Sequence, residues 1–161
     1  MIVIVMGVVG AGKTTIGKLL ASELGWQFAD ADDFHPASNV EKISHGIPLS
    51  DEDREPWLDR LRDAILHWIA EGQSTVLACS ALKGTYRLKL QVNPQVRFVY
   101  LKGSAALIAE RLRARHGHFA GEAILSSQMA DLEEPESALT VDVSASPQQI
   151  VDQIRNGLGL E

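Results

Sequence analysis

One segment near the start of the chain restricts the possible folds more than any other. Residues 7–14 have the sequence Gly-Val-Val-Gly-Ala-Gly-Lys-Thr and fit the pattern G-x-x-x-x-G-K-[ST] without a gap. A continuous apolar run at residues 2–6 precedes this segment, and a helical pattern at residues 14–24 follows it. A glycine-rich loop between a buried strand and a helix is suited to cradling phosphate groups. The sequence therefore predicts a nucleotide-binding α/β domain.

The remaining hydrophobic pattern extends this prediction to a whole fold. Further strands are predicted at residues 26–31, 74–79, 96–101 and 139–143, and further helices at 56–70, 105–115, 123–132 and 148–158. The alternation predicts a three-layer α/β/α arrangement around a parallel sheet of about five strands. With 161 residues the chain has room for one domain, 1–161, in which residues from about 116 to 130 are expected to form a mobile lid.

Composition limits the classes of partner. The net charge is −6, and such a surface repels nucleic-acid backbones, so no nucleic-acid partner is expected. The single cysteine excludes an internal disulfide, and no Cys/His spacing indicates a zinc site. The apolar run at residues 2–6 is too short to cross a membrane and lacks the basic start of a signal peptide. We therefore expect a cytoplasmic protein with no membrane partner.

The glycine-rich loop also predicts ligands. Its backbone N–H groups and the positive end of the following helix are expected to bind the phosphates of ATP. Lys13 is expected to reach the β- and γ-phosphates, and the Thr14 hydroxyl to bind Mg²⁺. A glycine-rich turn without a ligand is the alternative, which the strand–loop–helix context disfavours. The predicted nucleotide-binding residues are Gly7, Val8, Val9, Gly10, Ala11, Gly12, Lys13, Thr14 and Thr15.

Two carboxylates close the second predicted strand. Side-chain alternation places Asp30 and Asp32 on the same side, and at the carboxyl end of a parallel strand both would face the ligand crevice. We assign Asp32 to accept the proton of a substrate hydroxyl and to align it for attack on the γ-phosphate. Asp30 is assigned to Mg²⁺ together with Thr14. The alternative is that Asp32 and Asp33 only cap the next helix.

A pair of arginines precedes a polar loop. Arg111 and Arg115 lie four residues apart on a predicted helix and hence on one face of it. We predict that both contact ATP, and that Arg115 acts in catalysis by screening the charge on the transferring phosphoryl group. An ordinary solvated helix face is the alternative.

Further polar residues are candidates for binding the acceptor molecule. Arg54, Lys83 and Arg87 lie near the ends of predicted elements and suit an anionic acceptor, since arginine can bind a carboxylate through two hydrogen bonds. His35 and His118 are candidates for contacting its hydroxyl groups, although a lone histidine is more often structural.

Several segments together resemble one family of small kinases. They are Asp-Ala-Asp-Asp-Phe-His-Pro at 30–36, residues 46–58, residues 79–87, and Gly-His-Phe at 117–119 followed by Ser-Gln at 127–128. With the loop at 7–14 they resemble the gluconate kinases, P-loop enzymes related in fold to shikimate and nucleoside-monophosphate kinases. The resemblance extends from residue 1 to about residue 135. Val9 and Ala11 stand where the family often has serines, which leaves the backbone cradle unchanged.

The resemblance implies a function. It implies a homodimeric transferase that uses ATP to convert D-gluconate to 6-phospho-D-gluconate. It also strengthens the expectation that certain residues line the gluconate pocket, namely Asp32, His35, Arg54, Lys83, Arg87 and His118.

Three alternatives remain. A shikimate kinase is expected to have a triple-glycine turn where residues 79–83 stand, and a nucleoside-monophosphate kinase an Asp-Gly-Phe-Pro-Arg segment that is absent here. A nucleotide-binding switch module would keep the phosphate loop but has no reason to keep both Asp32 and Arg115.

Overall fold

The computed structural model describes residues 1–116 and 122–160. Its strands form one five-stranded sheet in the order β2-β3-β1-β4-β5, and every neighbouring pair is parallel. The strands are β1 (Ile2–Met6), β2 (Gln27–Asp30), β3 (Thr75–Ala78), β4 (Val96–Lys102) and β5 (Leu139–Asp142). The predicted parallel sheet is confirmed.

Seven helices and one short 3-10 helix connect and cover these strands in the described part of the chain. The helices are α1 (Lys13–Leu24), α2 (Ala37–Ser44), α3 (Asp51–Ala70), α4 (Gly84–Leu90), α5 (Ala105–His116), α6 (Glu122–Asp131) and α7 (Pro147–Leu158), and the 3-10 helix is Ala31–Phe34. Among the described residues no helix is long and apolar enough to cross a membrane.

The core has two halves, one on each face of the sheet. Alternate residues of β1 point to opposite faces, and all five are fully buried. Val3 and Val5 belong to a cluster that contains buried residues of α1, α5 and α7. Ile2, Ile4 and Met6 belong to a second cluster with buried residues of α3 and α4. Helices therefore cover both faces, as the predicted three-layer arrangement requires.

Helix α1 packs closely against the sheet at Gly17. A Cβ atom at this position would lie 2.7 Å from Cε1 of Phe28 in β2 and 3.6 Å from Cγ1 of Val76 in β3. Only glycine allows the helix to lie this near. The close packing fixes the position of the helix whose first residue is Lys13.

The structure corrects the predicted start of α3. The sequence prediction began this helix at Pro56, but it begins at Asp51. The Ser50 hydroxyl accepts a hydrogen bond from the Asp53 N–H at 3.1 Å, and the Asp53 carboxylate accepts one from the Ser50 N–H at 2.9 Å. This capping box stabilises the start of the helix. The Asp53 carboxylate also accepts a hydrogen bond from Lys42, and this bond, together with the one from the Ser50 N–H, lowers the pKa of Asp53 to about 2.

Two short helices were not predicted from the sequence. Helix α2 has eight residues and α4 has seven, so neither supports a long periodic pattern. Helix α2 also buries a polar residue, Asn39, and exposes about half of Val40 and Ile43. Its orientation depends on polar contacts that a hydrophobic pattern does not reveal.

The burial of α3 leads to a stability prediction. Leu61 is fully buried against the sheet, whereas Leu66 on the same helix is 43% exposed. Leu61→Ala should lower the free energy of unfolding by about 2–5 kcal/mol, because it removes buried methyl groups and leaves a cavity. Leu66→Ala is the matched control and should change it by less than about 0.5 kcal/mol. Urea unfolding measures both, and equal losses would contradict the packing described here.

Candidate active site

The glycine-rich loop follows β1 and wraps toward α1. Gly7, Gly10 and Gly12 have φ values of 153°, 82° and 100°, which other residues rarely adopt. A Cβ at Gly10 would also lie 2.8 Å from Cγ of Leu112 in α5. The predicted loop conformation therefore depends on these glycines, and α5 lies directly against the loop.

A cavity of about 230 Å³ lies between this loop and the carboxyl ends of β2 and β3. It brings together the predicted phosphate-binding and acceptor-activating residues. The lining residues are Val9, Gly10, Gly12, Lys13, Thr14, Thr15, Asp30, Asp32, Ala78, Cys79, Ser80 and Gln128.

Lys13 lies over the loop that precedes it. Its Nζ donates a hydrogen bond to the Val8 carbonyl at 3.0 Å. Burial lowers the pKa of Lys13, and the nearby Asp32 and Asp30 carboxylates act in the opposite direction. Phosphate groups in the same cavity would favour the charged ammonium, which is the form needed to stabilise a transferring phosphoryl group.

Thr14 and Asp30 form an oxygen-rich pair beside Lys13. The Thr14 hydroxyl donates to Oδ2 of Asp30 at 3.3 Å. Within the described residues no group of three or more His, Cys, Asp or Glu side chains forms a dedicated metal cage. One hydroxyl and one carboxylate still fit Mg²⁺, because that ion commonly takes few protein ligands and completes its shell with phosphates and water.

Asp32 lines the cavity as predicted, but the element that places it there differs from the prediction. Strand β2 ends at Asp30, one residue before the predicted end, and Asp32 lies in the 3-10 helix. Oδ1 of Asp30 accepts a hydrogen bond from the Asp32 N–H at 2.9 Å, so Asp30 caps this turn. Strand alternation therefore does not orient Asp32; the turn does. The alternative that Asp32 and Asp33 only cap the next helix is wrong for this 3-10 helix, because its N-cap residue is Asp30.

The electrostatic surroundings of Asp32 are unusual. Partial burial of its carboxyl group raises its pKa, and the negative charge of Asp30 raises it further. His35 and Lys13 act in the opposite direction. Two carboxylates beside one another at the edge of a phosphate loop are costly unless cations are present. The pair of carboxylates therefore favours binding of a cation at this site.

His35 lies next to the turn that carries Asp32, and its ring is held in a defined orientation. Its ring stacks on Trp57 with the centroids 4.6 Å apart. Nδ2 of Asn39 is a donor at 3.2 Å from Nδ1 of His35, so Nδ1 is the acceptor and Nε2 carries the proton in the neutral ring. Burial lowers the pKa of His35, which favours that neutral ring. Nε2–H remains suited to donating to a hydroxyl group.

Trp57 connects α3 to the turn that carries Asp32. Its indole Nε1 donates to the Ala31 carbonyl at 2.7 Å, and the indole is buried. Asn39 adds a second connection by donating to the Asp53 carbonyl of α3 at 2.7 Å. The sequence analysis did not assign Asn39 a role, and no local pattern marks it.

A cluster of charged groups joins α3 to α4. Arg54 Nη1 donates to the Tyr86 hydroxyl at 2.9 Å, the Tyr86 hydroxyl donates to Asp51, and Lys83 Nζ lies 3.0 Å from the same carboxylate. Arg54 also lies 3.9 Å from a carboxylate oxygen of Asp131 in α6. Two predicted substrate-binding cations are thus brought together. Tyr86 and Asp51 were missed, although both lie in segments that resemble the kinase family.

Arg87 has a different environment. Its guanidinium donates to the carbonyls of Ala81 at 2.8 Å, Leu82 at 3.0 Å and Glu133 at 2.8 Å. It lines a separate cavity with Gly84 rather than the one that holds Lys13. These contacts support a role in holding the chain around residues 81–82 more than a role in binding substrate.

A second cavity, of about 530 Å³, adjoins the phosphate loop on its other side. It shares Gly10, Gly12 and Thr15 with the smaller cavity. Its other walls are mainly apolar and include the predicted Arg111. They are Ala11, Ile16, Arg111, Leu112, Ala114, Val143, Ala145, Pro147 and Ile150. Apolar walls next to a phosphate cradle suit a flat nucleotide base.

Two predicted residues cannot be compared with the structure. Arg115 belongs to α5, but its side chain lies outside the described part. His118 also lies outside the described residues, as does the segment 117–121 of the predicted lid.

Comparison with known proteins gives consistent matches. The model of the shikimate kinase family matches residues 9–157. A protein of Escherichia coli K12 named thermosensitive gluconokinase is 41% identical, with 96% of this chain and 86% of the relative covered. The gluconokinase of Gluconobacter oxydans is 41% identical, with 94% and 87% covered. The crystal structure of a gluconokinase from Sinorhizobium meliloti has a TM-score of 0.88 and 39% identity, with 98% and 90% covered.

These observations identify the class and then the family. The phosphate loop, the parallel sheet and the carboxylates across the cavity define a P-loop kinase. A shikimate kinase from Aquifex aeolicus has a TM-score of 0.60 at 18% identity, covering 99% of this chain and 96% of that one, and therefore shares the fold alone. The nearly full-length relatives at about two-fifths identity are more specific, and the chain belongs to the gluconokinase family.

The Trp57 contact leads to a prediction about the turn that carries Asp32. Trp57→Phe keeps an aromatic ring beside His35 but leaves the Ala31 carbonyl without its donor, which should cost about 1–3 kcal/mol of unfolding free energy. Turnover should fall as well, because Asp32 lies next to Ala31, while ATP affinity should change little. Urea unfolding, steady-state kinetics and calorimetric titration with nucleotide measure these effects.

Trp68→Phe is the matched control. Trp68 lies on the same helix, is 8% exposed and makes no described hydrogen bond through its indole N–H. Its ring packs edge-on against Phe34 with the centroids 6.3 Å apart, and phenylalanine keeps an aromatic ring at that contact. The control should leave turnover near that of the unmodified protein. If both variants lose turnover equally, the bond from Trp57 to Ala31 does not position the turn that carries Asp32.

Proposed function

We propose that this chain transfers the terminal phosphoryl group of ATP to D-gluconate, giving 6-phospho-D-gluconate. The observation that carries the proposal is the cavity in which Lys13 of the phosphate loop and Asp32 are lining residues. This arrangement supports phosphoryl transfer to a hydroxyl, and the gluconokinase relatives support gluconate as the molecule that bears it.

The phosphate side of the reaction relies on charge and fixed N–H groups. The loop amides and Lys13 would bind the phosphates of ATP, and the base would occupy the larger cavity beside Arg111. Thr14 and Asp30 would hold Mg²⁺, which neutralises charge on the phosphates when bound. We keep the assignment of Arg115 to the transferring phosphoryl group as a prediction.

The acceptor side relies on positioning. Asp32 would accept a hydrogen bond from the 6-hydroxyl of gluconate and take up its proton as the new phosphate ester forms. His35, with Nε2–H directed by its bond to Asn39, would donate to another hydroxyl of the sugar acid.

The carboxylate of gluconate requires cations. Arg54 and Lys83 already contact a carboxylate, that of Asp51, within a partly buried cluster. The substrate carboxylate would share or replace this contact, with the Tyr86 hydroxyl as a further donor. His118 stays a gluconate ligand predicted from the sequence. Arg87 would act indirectly, by holding the backbone at residues 81–82 through its hydrogen bonds to the carbonyl groups there.

Three further features of the proposal come from the sequence and the family resemblance. They are the lid at residues 116–130, the homodimer and the cytoplasmic location. Helix α6 forms the described part of the proposed lid.

Replacing Asp32 tests the mechanism. Asp32→Asn removes the proton acceptor but preserves shape, so turnover should fall by about 10²-fold or more while ATP affinity stays nearly unchanged. Asp33→Asn is the matched control, because Asp33 lies on the same short helix, is exposed and does not line the cavity. A coupled ADP-release assay measures turnover. Near-normal turnover of Asp32→Asn would show that another group activates the acceptor.

A panel of acceptors tests the substrate. We expect the unmodified protein to release ADP fastest with D-gluconate, compared with other sugar acids, shikimate and nucleoside monophosphates, because the cation cluster suits one carboxylate. The product should carry phosphate on the 6-hydroxyl, as ³¹P NMR can verify. Faster turnover with shikimate would disprove the gluconate proposal and leave the kinase class intact.

A further inference from the structure

One contact at the active site links helix α6 to the phosphate loop. The Gln128 side chain on α6 accepts a hydrogen bond from the Val9 N–H at 2.6 Å, across 119 residues of sequence. Val9 occupies the third position of the glycine-rich motif. Helix α6, which belongs to the proposed lid, packs against the body of the domain in this structure, because Leu125 is buried in the cluster shared with α1 and α5. In this packed conformation the helix holds the side chain of Gln128 beside the phosphate loop.

The partner determines how the amide is oriented. A backbone N–H can only donate, so the atom of Gln128 that faces Val9 must be the oxygen. The two N–H bonds of the amide nitrogen are then directed elsewhere. Among the hydrogen bonds described for residues 1–116 and 122–160, that of Gln128 involves its oxygen and none starts from its amide nitrogen. Half-buried donors without a protein acceptor are suited to a ligand.

The position of Gln128 indicates which part of the ligand it meets. It lines the smaller cavity together with Lys13 and Asp32, and it does not line the larger cavity next to Arg111. The smaller cavity lies between the group that binds the β- and γ-phosphates and the group proposed to bind the acceptor. The terminal phosphoryl group must pass through this space.

We infer that Gln128 is a catalytic residue whose amide nitrogen donates a hydrogen bond to the terminal phosphoryl group of ATP, while its oxygen holds the phosphate loop through Val9. The inference rests on the proposed kinase activity and not on the identity of the acceptor. A neutral donor at this point stabilises charge on the phosphoryl oxygens without adding a cation that must be desolvated.

The contact also distinguishes two nucleotides. ADP lacks the terminal phosphoryl group, so a donor directed at that group contributes to binding of ATP and not of ADP. A residue that only supports the loop would affect both nucleotides, because the loop amides hold the phosphates that they share. Comparing the two nucleotides therefore separates a direct contact from a structural one.

The test uses calorimetric titration of the full chain with the magnesium complexes of ADP and of a non-hydrolysable ATP analogue. Gln128→Met removes both functions of the amide at similar length and without charge. Loss of the loop contact should weaken both nucleotides, and loss of the donor should weaken the ATP analogue by about a further tenfold relative to ADP, with a fall in turnover of about 10²-fold. Gln128→Glu keeps an acceptor for Val9 but replaces the donors with negative charge, so it should weaken the ATP analogue more than Gln128→Met does.

Ser126→Ala is the matched control, because Ser126 is an exposed residue of the same helix. It should bind both nucleotides as the unmodified protein does.

Three results would overturn the inference. Equal weakening of both nucleotides in Gln128→Met would assign Gln128 to loop support alone. Tighter binding of the ATP analogue would mean that the amide oxygen occupies a phosphate position and must leave. Normal binding of the analogue by Gln128→Glu would mean that the amide nitrogen does not face the terminal phosphoryl group. Nucleotide binding needs no acceptor, so failure of gluconate as a substrate would leave this comparison interpretable.

Discussion

The active site depends first on the hydrogen bonding of the central strand. Strand β1 pairs with β3 on one side and β4 on the other, and its residues are buried on both faces. A strand held on four sides has little freedom to move, so the loop that follows it starts from a fixed point. A further bond from the Gly7 N–H to the Ser80 carbonyl, at 3.4 Å, continues the pairing beyond the strand. The position of the phosphate loop is therefore fixed by a fully buried strand that is paired on both sides.

Charge is distributed unevenly in this acidic chain. In the small cavity, burial moves the pKa of Lys13 down and that of Asp32 up, so the protein alone disfavours both charged forms. A nucleotide with its divalent cation supplies the charges that each group lacks. Binding of the nucleotide with its cation would therefore favour the charged forms of both Lys13 and Asp32. This agrees with the importance of charge neutralisation in phosphoryl transfer.

The sequence predicted the features that local patterns encode. The loop at residues 7–14 carries its own conformational requirements in Gly10 and Gly12, and the buried strands appear as continuous apolar runs. The orientation of Asp32 was reasoned from strand alternation, whereas a capped turn provides it. The start of α3 was placed at residue 56 from the stripe of apolar residues that follows it, but the capping box at Ser50 and Asp53 starts the helix at Asp51.

Contacts between segments that are far apart in the chain could not be predicted from the sequence. The bond from Val9 to Gln128 and the bond from Tyr86 to Asp51 join residues whose separation leaves no periodic signal. Both pairs include residues from segments that resemble the kinase family, which was the available indication that they matter. Asn39 lacked even that indication, because its role depends on being the buried polar residue of a short helix.

Gly17 has a consequence for how α1 can be altered. In the interior of a helix, alanine is favoured over glycine by about 0.5–1 kcal/mol, so this helix gives up intrinsic stability at that position. In return its axis approaches the sheet closely enough for Phe28 to pack over the missing side chain. A change chosen only for helix propensity would therefore push the helix outward. Because Gly17 lies about one turn after Lys13, such a displacement would move the ammonium away from the place proposed for the phosphates, and a conventional stabilising substitution would then reduce activity.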